Sequence, residues 1–303
     1  RGVLRNCQYG ALLSVISHFT ASSEPAIVSL PTGSGKTELM FSLAFSLQPK
    51  RVLIIEPSLF LRRQTANKME ALSLFREFDL LDTEEHPRVK QVFKSLQTDQ
   101  NWEQLREYDV VVATPKTVSP EEALVCDPPD DLFDIILIDE AHHAAAKTWR
   151  AIVNSYVKSK TVLLTATAFR RDRRRLPGRL VYHYPVGRAL ADNIYRPIKF
   201  HPVERRDIGN VDSDIAEAAV EKLNEERVGN PDASMLIRTD RILKCGELKD
   251  IYAQLGLDAV VIHSDLGKRE AETRLQQLRN GEVFAAITVG MIAEGIDIPG
   301  LKV

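Results

Sequence analysis

The sequence has few cysteines and no long apolar run. Its three cysteines, Cys7, Cys126 and Cys245, lie far apart and form no Cys-x-x-Cys pair. This spacing argues against a disulfide framework or a zinc site and favours a reducing, intracellular location, cytoplasmic or, in a eukaryote, nuclear. No apolar stretch approaches the roughly 18 residues that cross a bilayer, which excludes a membrane-spanning chain. The first residues carry no basic-then-apolar signal pattern.

An excess of charge of one sign is also lacking. Forty lysines and arginines balance 42 aspartates and glutamates, for a formal net charge of −2. This balance argues against passive, charge-driven binding to nucleic acid but does not exclude a local basic stripe. With 44% hydrophobic and 27% charged residues, the composition is that of an ordinary globular protein, not of a disordered, collagenous or coiled-coil chain.

What the sequence does contain is an alternation of short apolar runs with helix-favouring segments. This alternation predicts βαβ units and an α/β fold with a parallel sheet. The runs are almost continuously apolar, as expected for strands buried on both faces. The predicted strands are residues 26–30, 52–56, 109–113, 135–138 and 161–164, and predicted helices include residues 36–47 and 59–78.

A second alternating series follows after about residue 200. Its predicted strands are residues 234–238, 259–263 and 283–288, and its predicted helices are residues 214–227, 241–255 and 268–279. Between the series lies Tyr195-Arg196-Pro197-Ile198, where a proline and the change of pattern favour an inter-lobe connection. We therefore expect two similar lobes, residues 1–198 and 199–303.

The strongest chemical signal is Pro31-Thr32-Gly33-Ser34-Gly35-Lys36-Thr37, which follows a predicted strand and opens a predicted helix. In this context glycines let backbone N–H groups point at phosphate oxygens, and the helix N-terminus adds a favourable dipole. Lys36 can reach the β- and γ-phosphates of a bound nucleotide, and the Thr37 hydroxyl can ligate Mg²⁺. Leu30 replaces the first glycine of the general phosphate-loop pattern. A glycine-rich turn without a ligand is the alternative.

A second signal is Asp139-Glu140-Ala141-His142, directly after the apolar run Ile135–Ile138. The carboxyl end of a buried parallel strand is where α/β sheets bind ligands. Asp139 is predicted to hold Mg²⁺, and Glu140 to orient or deprotonate the attacking water. Alone, such an acidic pair is more often a favourable feature of a helix N-terminus.

Together these two motifs resemble those of superfamily 2 helicases and translocases, and further segments match that family in order. They are Leu4 to Gln8 (the glutamine element that reads adenine), Glu56 to Thr65 (motif Ia), Ala113 to Thr117 (Ib), Thr165 to Thr167 (III), Leu236 to Asp240 (IV) and Thr288 to Pro299 (V). The resemblance covers nearly the whole chain. It implies two RecA-like lobes of the P-loop NTPase class, with the second lobe incomplete.

The subtype resembles the DEAH-type motor subunits of restriction enzymes. The basis is Asp139 to His143, Thr148-Trp149-Arg150 and Thr165 to Asp172. Ala168 stands where the commoner form has proline, so a rigid turn residue is missing. This resemblance favours double-stranded DNA over RNA as the partner and allows fused or associated nuclease or accessory domains outside residues 1–303.

The resemblance also assigns roles. ATP and Mg²⁺ are the implied ligands, bound between the lobes, and cycles of closure and opening would move the lobes along a phosphate backbone. Lys36, Asp139 and Glu140 are the implied catalytic residues, with Thr37 and Asp139 at the metal. The implied nucleotide-binding residues are Arg5, Gln8, Thr32, Gly33, Ser34, Gly35, Lys36, Thr37, Gly295 and Asp297. The implied coupling residues are His142, Thr165 and Thr167, and the implied nucleic-acid contacts are Ser58, Thr114, Thr239, Thr288, Arg170 and Arg171.

Several of these residues have an ordinary structural alternative. Gln8 could be a solvated helix residue, and Thr114 and Thr239 could be helix caps. The arginines within residues 170–175 could form a solvated loop as readily as a phosphate contact. Trp102 and Trp149 are predicted to be packing anchors, and Cys7 a small buried residue.

Three alternative functions stay open at this point. They are a phosphate-loop ATPase unrelated to nucleic acid, a nucleotide-gated scaffold without motor activity, and an RNA helicase. The family's motif VI, which supplies transition-state arginines, is expected some tens of residues after motif V, but the sequence ends four residues after Pro299 and begins at Arg1 instead of Met. We therefore expect a fragment that binds nucleotide and hydrolyses it poorly.

Overall fold

The computed structural model describes residues 4–72, 86–142, 146–167, 176–194, 198–203, 211–263, 265–289, 298 and 300–303, without the side chains of residues 146 and 268. The chain divides into two compact units, Arg1–Pro197 and Ile198–Val303. Of the predicted site residues, Arg170, Arg171, Gly295 and Asp297 lie outside the described residues.

The first unit is built on a seven-stranded parallel sheet with the strand order β3-β4-β2-β5-β6-β1-β7. Its strands are β1 (Ala26–Ser29), β2 (Val52–Ile55), β3 (Val89–Gln91), β4 (Val110–Ala113), β5 (Ile135–Ile138), β6 (Lys160–Thr165) and β7 (Arg179–His183). Its helices are α1 (Asn6–Ala21), α2 (Lys36–Ser46), α3 (Leu59–Glu70), α4 (Asp99–Glu103), α5 (Pro115–Val118), α6 (Ala146–Ser155) and α7 (Val186–Ala191), with a 3₁₀ turn at Gln104–Glu107.

Each central strand supplies side chains to two hydrophobic cores, one on each face of the sheet. In β1, Val28 belongs to the core that contains α1 and α2, whereas Ile27 belongs to the core that contains Trp102 and Trp149. This division follows from the two-residue side-chain period of a strand. Both tryptophans are fully buried, which confirms that they are packing anchors.

Since every strand of this sheet is parallel, the segments that follow the strands meet at one edge. The glycine-rich loop follows β1, Asp139 follows β5, and Thr165 is the last residue of β6. Ser58 and Thr114 lie at the same edge, after β2 and β4. The topology therefore collects residues that are far apart in sequence, as expected for the ligand-binding edge of an α/β sheet.

The second unit contains a three-stranded parallel sheet in the order β8-β10-β9. Its strands are β8 (Met235–Arg238), β9 (Ala259–Ile262) and β10 (Ala285–Thr288), and its helices are α8 (Val211–Gly229), α9 (Ile242–Gln254) and α10 (Lys268–Arg279). A core that includes Leu223, Tyr252 and Ile287 joins α8 and α9 to this sheet. Within the described residues, no helix is long and apolar enough to span a membrane.

The predicted α/β class with parallel sheets is confirmed, and most predicted elements agree with the structure to within one to three residues at each end. One helix prediction is wrong in its extent. The helix that starts at Leu59 ends at Glu70, and Leu72 has a φ of 47°, a left-handed conformation that stops a right-handed helix. Strands β3 and β7 were not predicted, because they are the two outermost strands of the sheet and their half-exposed residues form no continuous apolar run.

Candidate nucleotide-binding site

The glycine-rich loop between β1 and α2 has the backbone shape of a phosphate-binding loop. Gly33 and Gly35 have φ values of 80° and 87°, in the left-handed region that favours glycine. The Ser34 hydroxyl donates to the Pro31 carbonyl oxygen at 2.6 Å. The loop is anchored at its start, where the Leu30 N–H donates to the Thr165 carbonyl oxygen at 2.9 Å.

Two residues at the start of α1 hold this loop from one side. The Arg5 guanidinium donates to the Gly33 carbonyl oxygen at 2.8 Å, and the Gln8 amide donates to the Gly35 carbonyl oxygen at 3.0 Å. The Gln8 side-chain oxygen in turn accepts from the Arg5 backbone N–H at 2.7 Å. Gln8 is only 3% exposed, so the alternative that it is a solvated helix residue is wrong. Cys7 is also fully buried, as predicted.

Lys36 and Glu140 form a buried ion pair next to the loop. The Lys36 Nζ atom lies 2.6 Å from Glu140 Oε1, and their side chains are 8% and 3% exposed. Glu140 has a φ of 44°, which is uncommon for a residue with a side chain. An isolated charge at this depth is strongly disfavoured, so each charge is stabilised by the other.

His142 and Thr165 connect Glu140 to the end of β6. His142 Nδ1 lies 3.3 Å from Glu140 Oε2 and 3.1 Å from Thr165 Oγ1. The Thr165 hydroxyl donates to the Thr167 carbonyl oxygen at 3.1 Å and accepts from the Thr167 N–H at the same distance. The three predicted coupling residues are therefore one hydrogen-bonded set that begins at the predicted catalytic glutamate.

Glu56, the first residue of the segment that resembles motif Ia, is a buried carboxyl that was not predicted as a site residue. It directly follows β2 and is 1% exposed, and its Oε1 atom accepts a hydrogen bond from Thr65 at 2.6 Å. Its Oε2 atom has no hydrogen-bond partner among the described residues. Burial, reinforced by the charge of Asp139, raises the pKa of Glu56 to about 8. The rule that found Asp139, an acidic residue right after an apolar strand, applies equally to Glu56.

The donors available to Mg²⁺ are Thr37 in the first turn of α2 and Asp139 after β5. Asp139 is 7% exposed, and one of its oxygens accepts from the Glu140 N–H at 2.9 Å. Mg²⁺ is usually held by one or two carboxylates together with substrate phosphates and water, so a hydroxyl and a carboxylate beside the phosphate loop fit this ion. No group of three or more acidic, histidine or cysteine side chains that could hold a metal occurs among the described residues.

The four described residues predicted to contact nucleic acid lie at the carboxyl ends of the two sheets. Ser58 is exposed and caps α3, accepting from the Leu61 N–H at 3.2 Å. Thr114 is 5% exposed and caps α5, so the helix-cap alternative describes its local role. In the second unit the Thr239 N–H donates to the Thr288 carbonyl oxygen at 3.0 Å, and the Thr288 hydroxyl is buried without a hydrogen-bond partner among the described residues.

Comparison with known protein families gives this site a context. Residues 1–170 match the family described as "Type III restriction enzyme, res subunit". The chain belongs to this family. Residues 218–303 match the helicase conserved C-terminal domain. Because the chain is a res-subunit family member that also carries a helicase C-terminal domain, it bears out the predicted resemblance to superfamily 2 helicases and to restriction-enzyme motor subunits.

Relatives of this chain include proteins named as helicases, some of which are named as RNA helicases. IRC3 of Saccharomyces cerevisiae, whose name assigns it to the ATP-dependent helicases, is 24% identical over 99% of this chain and 46% of its own length. The ATP-dependent RNA helicase ROK1 of Scheffersomyces stipitis is 23% identical over 93% of this chain and 51% of its own length. The chain thus spans about half the length of the curated relatives it matches.

Solved structures that share the fold of this chain include two that are bound to nucleic acid. Saccharomyces cerevisiae Dbp5 bound to RNA and ADP BeF3 has a TM-score of 0.60 at 18% identity, over 99% of this chain and 73% of Dbp5. Mycobacterium smegmatis helicase Lhr bound to ssDNA and AMP-PNP has a TM-score of 0.65 at 17% identity, over 96% of this chain and 41% of Lhr. The fold is therefore that of RecA-like helicase domains, which confirms the predicted architecture.

Proposed function

We propose that this chain is the motor core of an ATP-dependent, nucleic-acid-stimulated helicase or translocase that acts on DNA within the cell. The observation that carries the proposal is the continuous set of contacts at the sheet edge. It runs from the phosphate-loop lysine, Lys36, through Glu140 and His142 to Thr165. A protein that only binds nucleotide needs no catalytic glutamate, and it does not need that glutamate to be connected through His142 to Thr165 at the end of β6.

In this proposal the residues of the first unit bind ATP and prepare the attacking water. Loop N–H groups and Lys36 bind the phosphates, and Arg5 and Gln8 lie where the adenine-reading element is expected. Lys36 is paired with Glu140, so engagement of Lys36 by the phosphates would release that carboxylate. Glu140 then becomes available to accept a proton from water. Mg²⁺, when bound by Thr37 and Asp139, supplies charge neutralisation of the phosphate oxygens.

DNA is the proposed partner because the family is described as a restriction-enzyme subunit and because the subtype motifs resemble those motors. The alternative of RNA is supported by relatives named as RNA helicases. Contacts from Ser58 and Thr114 at the ends of strands would be made to the phosphate backbone and would not read base sequence. We therefore propose a sequence-tolerant motor.

The test is steady-state ATP hydrolysis by the 303-residue chain, alone and with duplex DNA, single-stranded DNA or RNA. Turnover by this chain is expected to be slow, as the sequence predicts, and we expect its stimulation by DNA to exceed its stimulation by RNA. The Glu140→Gln variant should retain ATP binding and lose roughly 10²- to 10⁴-fold in turnover, the range for loss of a general base. The matched control is Glu121→Gln, another lysine-paired glutamate, whose partner is Lys147 at 2.9 Å.

The outcomes separate the proposed motor from its alternatives. Greater stimulation by RNA would replace DNA with RNA in the proposal. ATP-dependent binding of nucleic acid without turnover in the wild type would favour a nucleotide-gated scaffold. Turnover that no nucleic acid changes would favour an unrelated ATPase. A long-lived ATP–DNA complex formed by Glu140→Gln but not by the wild type would support the motor.

A further inference from the structure

Phe93 is an aromatic side chain in a position that packing does not explain. It follows β3 by two residues and is 69% exposed, whereas its neighbours Val92 and Leu96 are buried. No other described aromatic residue of the first unit is as exposed. Leaving a phenyl ring in water forgoes about 1.5–3 kcal/mol of burial free energy, which a partner that covers the ring would recover.

The Phe93 ring is held in place by a buried arginine. The guanidinium carbon of Arg62, in α3, lies 4.2 Å from the centre of the ring, the geometry of a cation–π contact. Arg62 is only 3% exposed and donates to the Val92 carbonyl oxygen at 2.7 Å. Because Arg62 is buried and bonded to the backbone beside the ring, it contacts Phe93 as a fixed support. Most of the ring surface is left to solvent.

The loop that carries Phe93 lies beside the residues predicted to contact phosphates. Strands β3, β4 and β2 are neighbours in the sheet, and they lead into Phe93, Thr114 and Ser58 at the same edge. The Ser95 hydroxyl donates to the Lys116 carbonyl oxygen at 3.3 Å, and this bond joins the Phe93 loop to α5. With strands about 4.8 Å apart, β3 and β2 are separated by roughly 10 Å.

The other side of this edge is occupied by the nucleotide site. Strands β5, β6 and β1 lead into Asp139, Thr165 and the phosphate loop. Phe93 follows β3, which is separated from β1 and its phosphate loop by four strands, so a role in ATP binding does not account for its exposure. Lys94 and Lys116 are exposed near Phe93, which favours a partner that carries negative charge next to a flat apolar surface.

We propose that Phe93 is a stacking platform for an unpaired base of single-stranded DNA or RNA, supported from beneath by Arg62. The inference rests on the proposed function and makes it more specific. A base stacked within a duplex does not offer its face to a side chain, so a platform here selects a strand with exposed bases. Stacking on an aromatic ring tolerates any base, which agrees with a sequence-tolerant motor.

The test measures binding of fluorescently labelled single-stranded DNA, single-stranded RNA and duplex DNA by fluorescence anisotropy. Phe93→Leu keeps an apolar side chain but removes the aromatic face, and it should weaken single-strand binding by roughly 5- to 100-fold, the range for one stacked base. Phe93→Trp should restore tight binding. Duplex binding should change by less than about twofold. The matched control is Phe45→Leu, the same replacement at a half-exposed phenylalanine in α2.

An abasic strand separates stacking from contacts with phosphates. Wild-type protein should lose affinity when the bases are removed, and Phe93→Leu should show little further loss, as expected when the base and the ring form one contact. Equal binding of single strands by the wild type and Phe93→Leu would overturn the platform while leaving the proposed function intact. A wild type that binds no nucleic acid at low salt would overturn both. The DNA and RNA arms identify which strand is bound.

Discussion

The ammonium group of Lys36 lies 2.6 Å from a carboxylate oxygen of Glu140, and both side chains are almost completely buried. Their pairing differs from that of Arg88 and Asp109, which are 3.0 Å apart but 64% and 41% exposed. Water screens the exposed pair, whereas each buried charge depends on its partner. The predicted catalytic lysine and glutamate therefore stabilise each other in the folded chain, in addition to their proposed roles with ATP.

Replacing the lysine of this pair should destabilise the nucleotide-free protein. Lys36→Met leaves Glu140 buried without its counter-charge, and we expect a loss of about 3–5 kcal/mol in the free energy of unfolding. Arg88→Met, at the exposed pair, should cost no more than about 1 kcal/mol. Urea unfolding without nucleotide measures both. Equal losses for the two variants would show that burial of the Lys36–Glu140 pair has no energetic consequence.

Glycine replacements should separate backbone strain from steric conflict in the phosphate loop. Gly35→Ala combines a φ of 87° with a Cβ that collides with the Gln8 amide, whereas Gly33→Ala, at a φ of 80°, meets no atom within 4 Å. We expect Gly35→Ala to abolish nucleotide binding and Gly33→Ala to weaken it less, since strain alone costs about 1–2 kcal/mol. Gly187→Ala, with open space in α7, is the control and should be neutral. Isothermal titration calorimetry with ADP measures the affinity of the three variants. Weaker binding by Gly33→Ala than by Gly35→Ala would contradict this account.

Thr165→Val should uncouple hydrolysis from nucleic acid. It removes the hydroxyl that joins His142 to Thr167 while keeping the side-chain volume similar. We expect basal ATP hydrolysis to fall less than threefold and stimulation by DNA to fall by about tenfold or more, comparable to the loss of one or two hydrogen bonds. Thr161→Val, near the other end of β6, serves as the control. A parallel loss of basal and stimulated rates would assign Thr165 to the catalytic step instead.

Glu56 should make the free energy of unfolding depend on pH. Burial raises the pKa of Glu56 from 4.5 to about 8, so between these values the folded chain binds a proton that the unfolded chain releases. Stability contributed by protonated Glu56 is therefore complete at low pH and is lost as pH rises toward 8. Glu56→Gln should remove this decline and be more stable than the wild type near pH 8, measured by urea unfolding without Mg²⁺.

The control for that measurement is Glu103→Gln. A hydrogen bond from Arg106 lowers the pKa of Glu103, so both folded and unfolded chains carry this carboxylate in its ionised form above about pH 6. The Glu103→Gln variant should therefore show the same pH dependence as the wild type between pH 6 and 8. A Glu56→Gln variant that kept the wild-type slope would assign the dependence to other groups.

The sequence allowed much of this site to be predicted because its key residues follow recognisable strands. The phosphate loop after β1 and Asp139-Glu140 after β5 are local patterns, so spacing along the chain identifies them. Glu56 follows the same rule but lacks a second acidic neighbour, and it was not predicted as a site residue. Phe93 follows β3, an edge strand with no apolar run, so nothing in the local pattern marked it.

Local residue order determined the fold class, the phosphate loop and the acidic pair, because buried parallel strands and glycine-rich turns have short-range sequence signatures. The tertiary structure alone decided which distant residues pair. It placed Lys36 against Glu140, Arg62 beneath Phe93, and Gln8 against the backbone of Gly35. Those contacts depend on the order of strands in the sheet, β3-β4-β2-β5-β6-β1-β7, which differs from their order along the chain.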